Sequence, residues 1–444
     1  MGRVDVSGDA TEGTRTAGLV RAAAREGRIV RRRTTLDELK ALLGPPSQEV
    51  SAQEGWQQRI RLIYPGVEAV FVRDSWRTAP PILLYVTAGD HGVEWQDSLV
   101  VLRDRQDLER LDSFWGLEGV SAAALDLRNE VEELARLTFN TATVWPEASR
   151  LPPGFDPQAL LQQGQNPGLG VRGLHAEGID GRGIGLAIID QPLVRDHREY
   201  AHRMARYEDL GVEGFPPQMH GPAVASIAVG KICGVAPRAA LHYYAEMWGM
   251  RDRQTCRPYR EVVESILAGN RGAAGDQRIR VVSISTGMFS QWEDYAEWQE
   301  ALARAAAQGV LVVTCDPDWL QYGTLQRKES ADPDDPAGYV RGLYSTPHDV
   351  LYVPAANRTI AGREGPEAYT YDRTGGMSWA APYLAGLAVL AFQINPELDP
   401  TVIVRLWQET ATKTEVGPVV SPTAFLAAVR TAQASASAGR VDEQ

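Results

Sequence analysis

The chain is poor in cysteine, with only Cys233, Cys256 and Cys315 in 444 residues. An odd number at irregular spacing excludes a disulfide framework and a paired-cysteine zinc motif, and fits a reducing compartment. It is also short of positive charge. Lys and Arg total 45 against 57 Asp and Glu, a net charge of −12, whereas a nucleic-acid binder carries a basic footprint. The single Arg31-Arg32-Arg33 run reads as a solvated loop. No apolar run reaches the roughly 18 residues needed to span a bilayer, and Tyr383–Phe392 is the nearest. The first twenty residues lack the apolar run of a secretory signal. The expectation is a cytoplasmic protein with no nucleic-acid or membrane partner.

What is present is globular in character. Hydrophobic residues at 44% and charged residues at 23% exclude a mostly disordered chain, and the length suggests two or three domains of about 150 residues. Residues 1–30 read as a loose polar tail with a helix around Leu19–Arg25. Thr35-x-x-Glu38 predicts a capping box opening a short helix that Gly44-Pro45-Pro46 stops. Strand-like runs follow at Val67–Val72 and Ile82–Val86, then helical periodicity around Val120–Leu137. Residues 1–150 are therefore expected to form a smaller α+β N-terminal domain, 151–168 a Pro/Gly/Gln-rich linker, and 431–444 a disordered Ala/Ser tail.

Between linker and tail, over 169–430, short apolar runs alternate with helical stretches. The runs are Ile184–Ile189, Leu241–Ala245, Val281–Ser285, Val310–Val313 and Leu351–Val353. The helical stretches are Ala223–Val229, Glu261–Leu267, Tyr295–Ala307 and Ala380–Phe392. Fully apolar strands between helices predict an α/β fold, a doubly wound parallel sheet covered on both faces. Such sheets bind ligands beyond the carboxyl ends of their strands. Three segments fall there. Asp190 ends the strand Ile184-Gly-Leu-Ala-Ile-Ile-Asp190, His220 opens a helix with Pro222 in its first turn, and Ser378 in Gly375-Gly-Met-Ser378 precedes a long apolar helix. Acyl transfer needs a hydroxyl, a base to take its proton and a carboxylate to orient that base. The order Asp, His, Ser excludes the α/β-hydrolase arrangement, in which the histidine follows the serine.

These blocks resemble the subtilases. His220-Gly-x-x-Val-Ala with Gly234-Val-Ala-Pro237 is similar to the family's histidine block, Ser283-Ile-Ser285-Thr-Gly287 to its substrate-pairing strand, and Val353-Pro354-Ala355 with Ser378-Trp-Ala-Ala-Pro382 to its serine block. The resemblance covers roughly residues 165–430. It implies a sheet of subtilisin type and a serine endopeptidase with Asp190, His220 and Ser378 as triad. It also implies a peptide or protein substrate lying extended along Ser285, Thr286 and Gly287. No cofactor is required, although subtilases often hold structural calcium, for which Asp332-Pro-Asp-Asp335 is the acidic loop to inspect. Residues 1–150 stand where a subtilase prodomain would, at about twice its length, and read as prodomain-like or regulatory.

The sequence also departs from the family. Gln191-Pro192 follows Asp190 in place of a small hydroxyl residue and glycine, and Gly-Met precedes the serine in place of Gly-Thr. The family's oxyanion asparagine is absent, and its position falls on Asp318, or on Asp316 in a loop two residues shorter. The alternative reading is therefore a catalytically weak or inactive pseudoprotease that binds peptides. His91-Gly-Val-Glu94 resembles the first zinc-ligand pair of carboxypeptidase-like metallopeptidases. With no further histidine before His175 it reads as an exposed loop, and no metal site is expected.

Overall fold

The computed structural model describes residues 10–26, 29, 34–54, 57–74, 81–88, 91–92, 100–247, 255–316, 321–329, 331–342 and 350–441. The chain divides into two compact units, Met1–Phe155 and Asp156–Gln444.

The second unit is built on five parallel strands in the order Met204–Asp209, Ala240–Ala245, Gly185–Asp190, Ile279–Ile284, Leu311–Thr314. From the central Gly185–Asp190 strand the chain first builds the sheet to one side and then crosses to the other. The direction reverses between the strands ending at Asp190 and Ile284, which opens the crevice where such sheets bind ligands. Alternate residues of the central strand serve opposite cores. Leu186 and Ile188 pack with the helices His220–Val229 and Met377–Ile394, whereas Ala187 and Ile189 pack with Arg257–Gly269 and Tyr295–Ala307. This is the period-2 logic of a strand covered on both faces. The expected strands and helices of this unit are all present, within a few residues at their ends.

The run Leu351–Val353, expected in the parallel sheet, belongs instead to a second, mixed sheet in the order Tyr339–Arg341, Tyr322–Arg327, Leu351–Ala356, Gly417–Val419, Thr412–Thr414. From it the chain turns at Asn357, whose φ of 55° asparagine tolerates, into the hairpin Arg358–Ala361 and Tyr369–Asp372 that leads to Ser378.

The structure departs from the sequence pattern at three further places. The segment 151–168 is not plain linker: Asp156 caps the helix Pro157–Gly164, whose Leu161 is buried and passes its carbonyl to the Thr359 hydroxyl. The expected disordered tail is helical through Val441, because Phe425, Leu426 and Val429 anchor the helix Pro422–Val441 in the core. An 18-residue apolar helix, Met377–Ile394, does exist, but 78% of it is buried within the unit, as befits a core helix.

The first unit holds an antiparallel sheet in chain order, Gln48–Glu54, Gln57–Tyr64, Val67–Asp74, Ile82–Ala88 and His91–Gly92. The capping box forms as read: the Thr35 hydroxyl accepts from Glu38 N at 3.3 Å and the Glu38 carboxylate from Thr35 N at 2.8 Å. Gly44 ends that helix at φ 82°, a conformation that suits glycine. The N-terminal helix starts at Ala10 rather than Leu19, with Ala17, Val20, Ala23 and Ala24 buried on one face. Around Val120–Leu137 only Val131–Arg136 is helical, after a short strand at Val120–Ser121.

Candidate active site

Asp190 is the last residue of the central strand and is 4% exposed. Its carboxylate Oδ1 lies 2.7 Å from His220 Nδ1 and accepts the backbone N–H of Gln191, also at 2.7 Å. The neighbouring amide thus supplies the contact for which the sequence offered no hydroxyl. His220 is the first residue of its helix, where Pro222 is harmless because first-turn N–H groups have no intrahelical acceptor. Gly221 lets that helix meet the Asp190 loop. A Cβ there would stand 2.1 Å from Gln191 O, an acceptor that Tyr243 Oη also engages at 2.5 Å.

Burial alone would depress the His220 pKa. The charge and hydrogen bond of Asp190 outweigh it, Glu246 adds in the same direction, and the net shift is upward. Glu246 was missed by sequence reasoning, since a carboxylate just past a strand end reads as solvated. It is instead 5% exposed, donates its backbone N–H to Asp190 O at 2.8 Å and accepts the Tyr259 hydroxyl at 3.2 Å. The Trp379 ring packs edge-on to the His220 imidazole at 5.0 Å.

Ser378 is the second residue of the helix Met377–Ile394, so its own N–H is one of the helix's unpaired first four. The approach to it is fixed. Asp372 Oδ1 accepts Thr374 N at 2.7 Å, and a Cβ on Gly375 would lie 2.3 Å from Ala355 O. Ser378 and Ser285 bond reciprocally: Ser378 Oγ donates to Ser285 O at 3.1 Å and Ser285 Oγ to Ser378 O at 2.9 Å. Among the described residues no hydrogen bond joins Ser378 Oγ to His220.

Ser285, Thr286 and Gly287 continue the strand Ile279–Ile284, and Thr286 O takes the N–H of Cys315 at 3.0 Å. Cys315 is a second neighbour that the sequence did not flag. Burial pushes its thiol up to about 12; hydrogen bonds with Tyr322 and Ser378 pull the other way, and Asp190 adds to the rise.

Of the two oxyanion positions, Asp318 lies outside the described residues, as does Glu94. Asp316 is buried and accepts the Tyr295 hydroxyl at 3.0 Å. Among the described residues no group of three His, Cys, Asp or Glu side chains converges to hold a metal. In the acidic loop the carboxylates of Asp332 and Asp335 accept the backbone N–H groups of Asp334 and Ala337, which is turn chemistry, and Asp334 accepts the N–H of the distant Gly170, all at 2.9 Å.

The subtilase family profile matches residues 181–319. Over that segment the chain is similar to the subtilases. The matched segment contains Asp190, His220 and Ser285–Gly287 and ends before Ser378. The subtilisin-like protease PopC of Myxococcus xanthus (strain DK1622) is 26% identical over 266 residues, 52% of this chain and 55% of that protein. The chain thus matches about half the length of this curated relative. Among solved structures, the prenylagaramide maturation protease PagA aligns over 59% of this chain and 98% of its own, at a TM-score of 0.43 and 16% identity. A structure of the subtilase cytotoxin SubAB aligns over 60% and 96%, at 0.46 and 16%. The A-subunit of the AB5 toxin from E. coli aligns over 62% and 98%, at 0.43 and 16%. The match to the subtilase profile supports serine peptidase chemistry at the level of that family.

Proposed function

We propose that this chain is a serine endopeptidase that cleaves extended peptide segments through Asp190, His220 and Ser378. The observation that carries the reading is the 2.7 Å bond from His220 Nδ1 to Asp190 Oδ1, two residues brought together across 30 positions of sequence. With its proton on Nδ1 the imidazole presents Nε2 as an acceptor, the tautomer a general base needs. A peptide enters along Ser285–Gly287 by strand addition. Its N–H competes for Ser285 O, which releases the Ser378 hydroxyl toward His220. Ser378 Oγ then adds to the carbonyl carbon as its proton passes to Nε2. The C–N bond breaks with that proton delivered to the leaving amine, and water resolves the acyl-enzyme by the same steps in reverse. The Ser378 N–H serves the developing oxyanion, and Asp318 is the candidate for the second donor in its protonated form alone, since a carboxylate would only accept and would repel the charge.

This reaction needs no cofactor. We place it in the cytoplasm, in keeping with three unpaired thiols, and assign the unit Met1–Phe155 a regulatory or prodomain-like role.

The competing reading, a peptide-binding pseudoprotease, draws on the Ser378 hydroxyl being held by Ser285 O. Hydrolysis of an unfolded protein such as reduced casein separates the two. The wild type should cleave it, and Ser378→Ala and His220→Ala should each lose several orders of magnitude. The double variant should be little worse than either, since residues acting as a unit are non-additive. Equal turnover by wild type and Ser378→Ala would remove the endopeptidase reading.

A further inference from the structure

The strands of the central sheet that end at the candidate active site begin, at the opposite end, beside an open cleft of ≈ 640 Å³ with a mostly polar lining. Four separate stretches wall it. They are the turn after the helix Arg257–Gly269, the start of the strand Ile279–Ile284, the end of the helix Tyr295–Ala307 with the turn after it, and the loop leading to the helix Pro400–Glu409. Three arginines line it: Arg271, Arg278 and Arg280.

Arg280 is only 6% exposed. Its Nε donates to Gly309 O at 2.8 Å, Nη1 donates to Pro396 O, and the guanidinium lies 4.1 Å from the centre of the Phe392 ring. Two carbonyls and a ring face orient a cation without neutralising it. Among the described residues Nη2 has no hydrogen-bond partner, and no carboxylate lies within ion-pair distance of any of the three guanidinium groups. Burial and the neighbouring Arg278 both push the Arg280 pKa down, to about 10, against a weaker opposing pull from Glu397.

In a chain with twelve more acidic than basic residues, three clustered arginines without an ion pair are anomalous. Two carboxylates do line the cleft. Asp399 spends Oδ1 on the Thr401 N–H and hydroxyl as a helix cap, and Glu397 is exposed on the rim.

We infer that this cleft is a binding site for a phosphate group, free or carried on a small molecule, held by Arg271, Arg278 and the free edge of Arg280. Guanidinium forks match the oxygens of a phosphate, and a dianion supplies the charge that the cleft's own carboxylates do not. The cleft's volume is that of a small-molecule pocket rather than of a single ion, so a phosphate carried on a larger body fits it best. A ligand there would tie together four stretches of chain, including the loop after the Ser378 helix.

The test uses the full-length Ser378→Ala protein, which avoids self-digestion. Isothermal titration and thermal unfolding are followed with inorganic phosphate, pyrophosphate and AMP, with sodium chloride at matched ionic strength as reference. Saturable binding and a raised Tm are expected for at least one phosphate compound. Tighter binding of AMP than of inorganic phosphate would assign a carried phosphate, and the reverse a free one. Arg271→Gln/Arg278→Gln should weaken binding at least tenfold, with an unchanged circular dichroism spectrum and Tm in the absence of ligand, and Glu397→Gln should tighten it. Stabilisation no greater than that by chloride, or an unaltered affinity in the double variant, would overturn the proposal. Neither outcome depends on peptidase activity.

Discussion

One face of the central sheet carries the helices His220–Val229 and Met377–Ile394, with nine of ten and fourteen of eighteen residues buried. The other carries Arg257–Gly269 and Tyr295–Ala307, with five and three of thirteen buried. Both proposed reacting side chains outside the strands, His220 and Ser378, sit at the starts of the buried pair. A helix enclosed on all sides cannot shift without disturbing close-packed neighbours, so the first residues of such a helix are held to the precision that acyl transfer needs. The amphipathic helices close the sheet against solvent and carry no reacting group. Burial on every side is thus the means of placing the site, and burial on one stripe is the means of covering the fold.

This contrast can be broken by volume. Gly386 lies where the serine helix passes Val235, and a Cβ there would stand 2.6 Å from the Val235 Cβ. Gly386→Val should destabilise the protein by about 1–3 kcal/mol, the usual cost of overpacking a tight core, and should lower activity by moving Ser378. Urea unfolding together with peptide hydrolysis reads both. Wild-type stability in this variant would mean that the buried helices yield more readily than their packing implies.

The contrast is sharpened by charge. Glu246, one residue past the neighbouring strand and bonded through its N–H to Asp190 O, helps to raise the His220 pKa. In its proposed role His220 works only when neutral, and a raised pKa keeps it protonated to higher pH, so the acid limb of the kcat/KM profile should lie above the ordinary histidine range. Removing a negative charge disfavours the imidazolium. Glu246→Gln should therefore move that limb to lower pH, by less than one unit for a single charge beyond hydrogen-bond contact, while Tyr259 keeps its partner oxygen. An unmoved limb would detach Glu246 from the base.

The smallest effect belongs to the covering face. Arg304 and Glu264 join its two helices by a 2.7 Å ion pair, with 47% and 45% of each side chain exposed. Exposed pairs contribute little, and Glu264→Ala should change stability by no more than about 0.5 kcal/mol and leave activity alone. A loss comparable with that of Gly386→Val would erase the distinction between the two faces.

The same distinction explains what could be read in advance. Asp190, His220 and Ser378 were legible because each follows or opens an apolar run, and runs of that kind survive in sequence as unbroken hydrophobicity. Glu246 and Cys315 were not, since each lies one residue past a strand end and only the pairing of the strands brings it to the site. The helix Pro157–Gly164 hid behind its Pro and Gly punctuation, although Asp156 before Pro157 is a capping signal. The last helix hid behind its Ala and Ser content. Alanine is the strongest helix former, and Phe425, Leu426 and Val429 supply the buried face that low complexity obscured.

Covalent labelling shows whether His220 and Asp190 make Ser378 a nucleophile. A fluorophosphonate probe is incubated with wild type and with His220→Ala, and the modified peptide is located by mass spectrometry. A single adduct on Ser378 is expected in the wild type and none in His220→Ala. An unlabelled wild type with an intact fold, or equal labelling of both proteins, would contradict it.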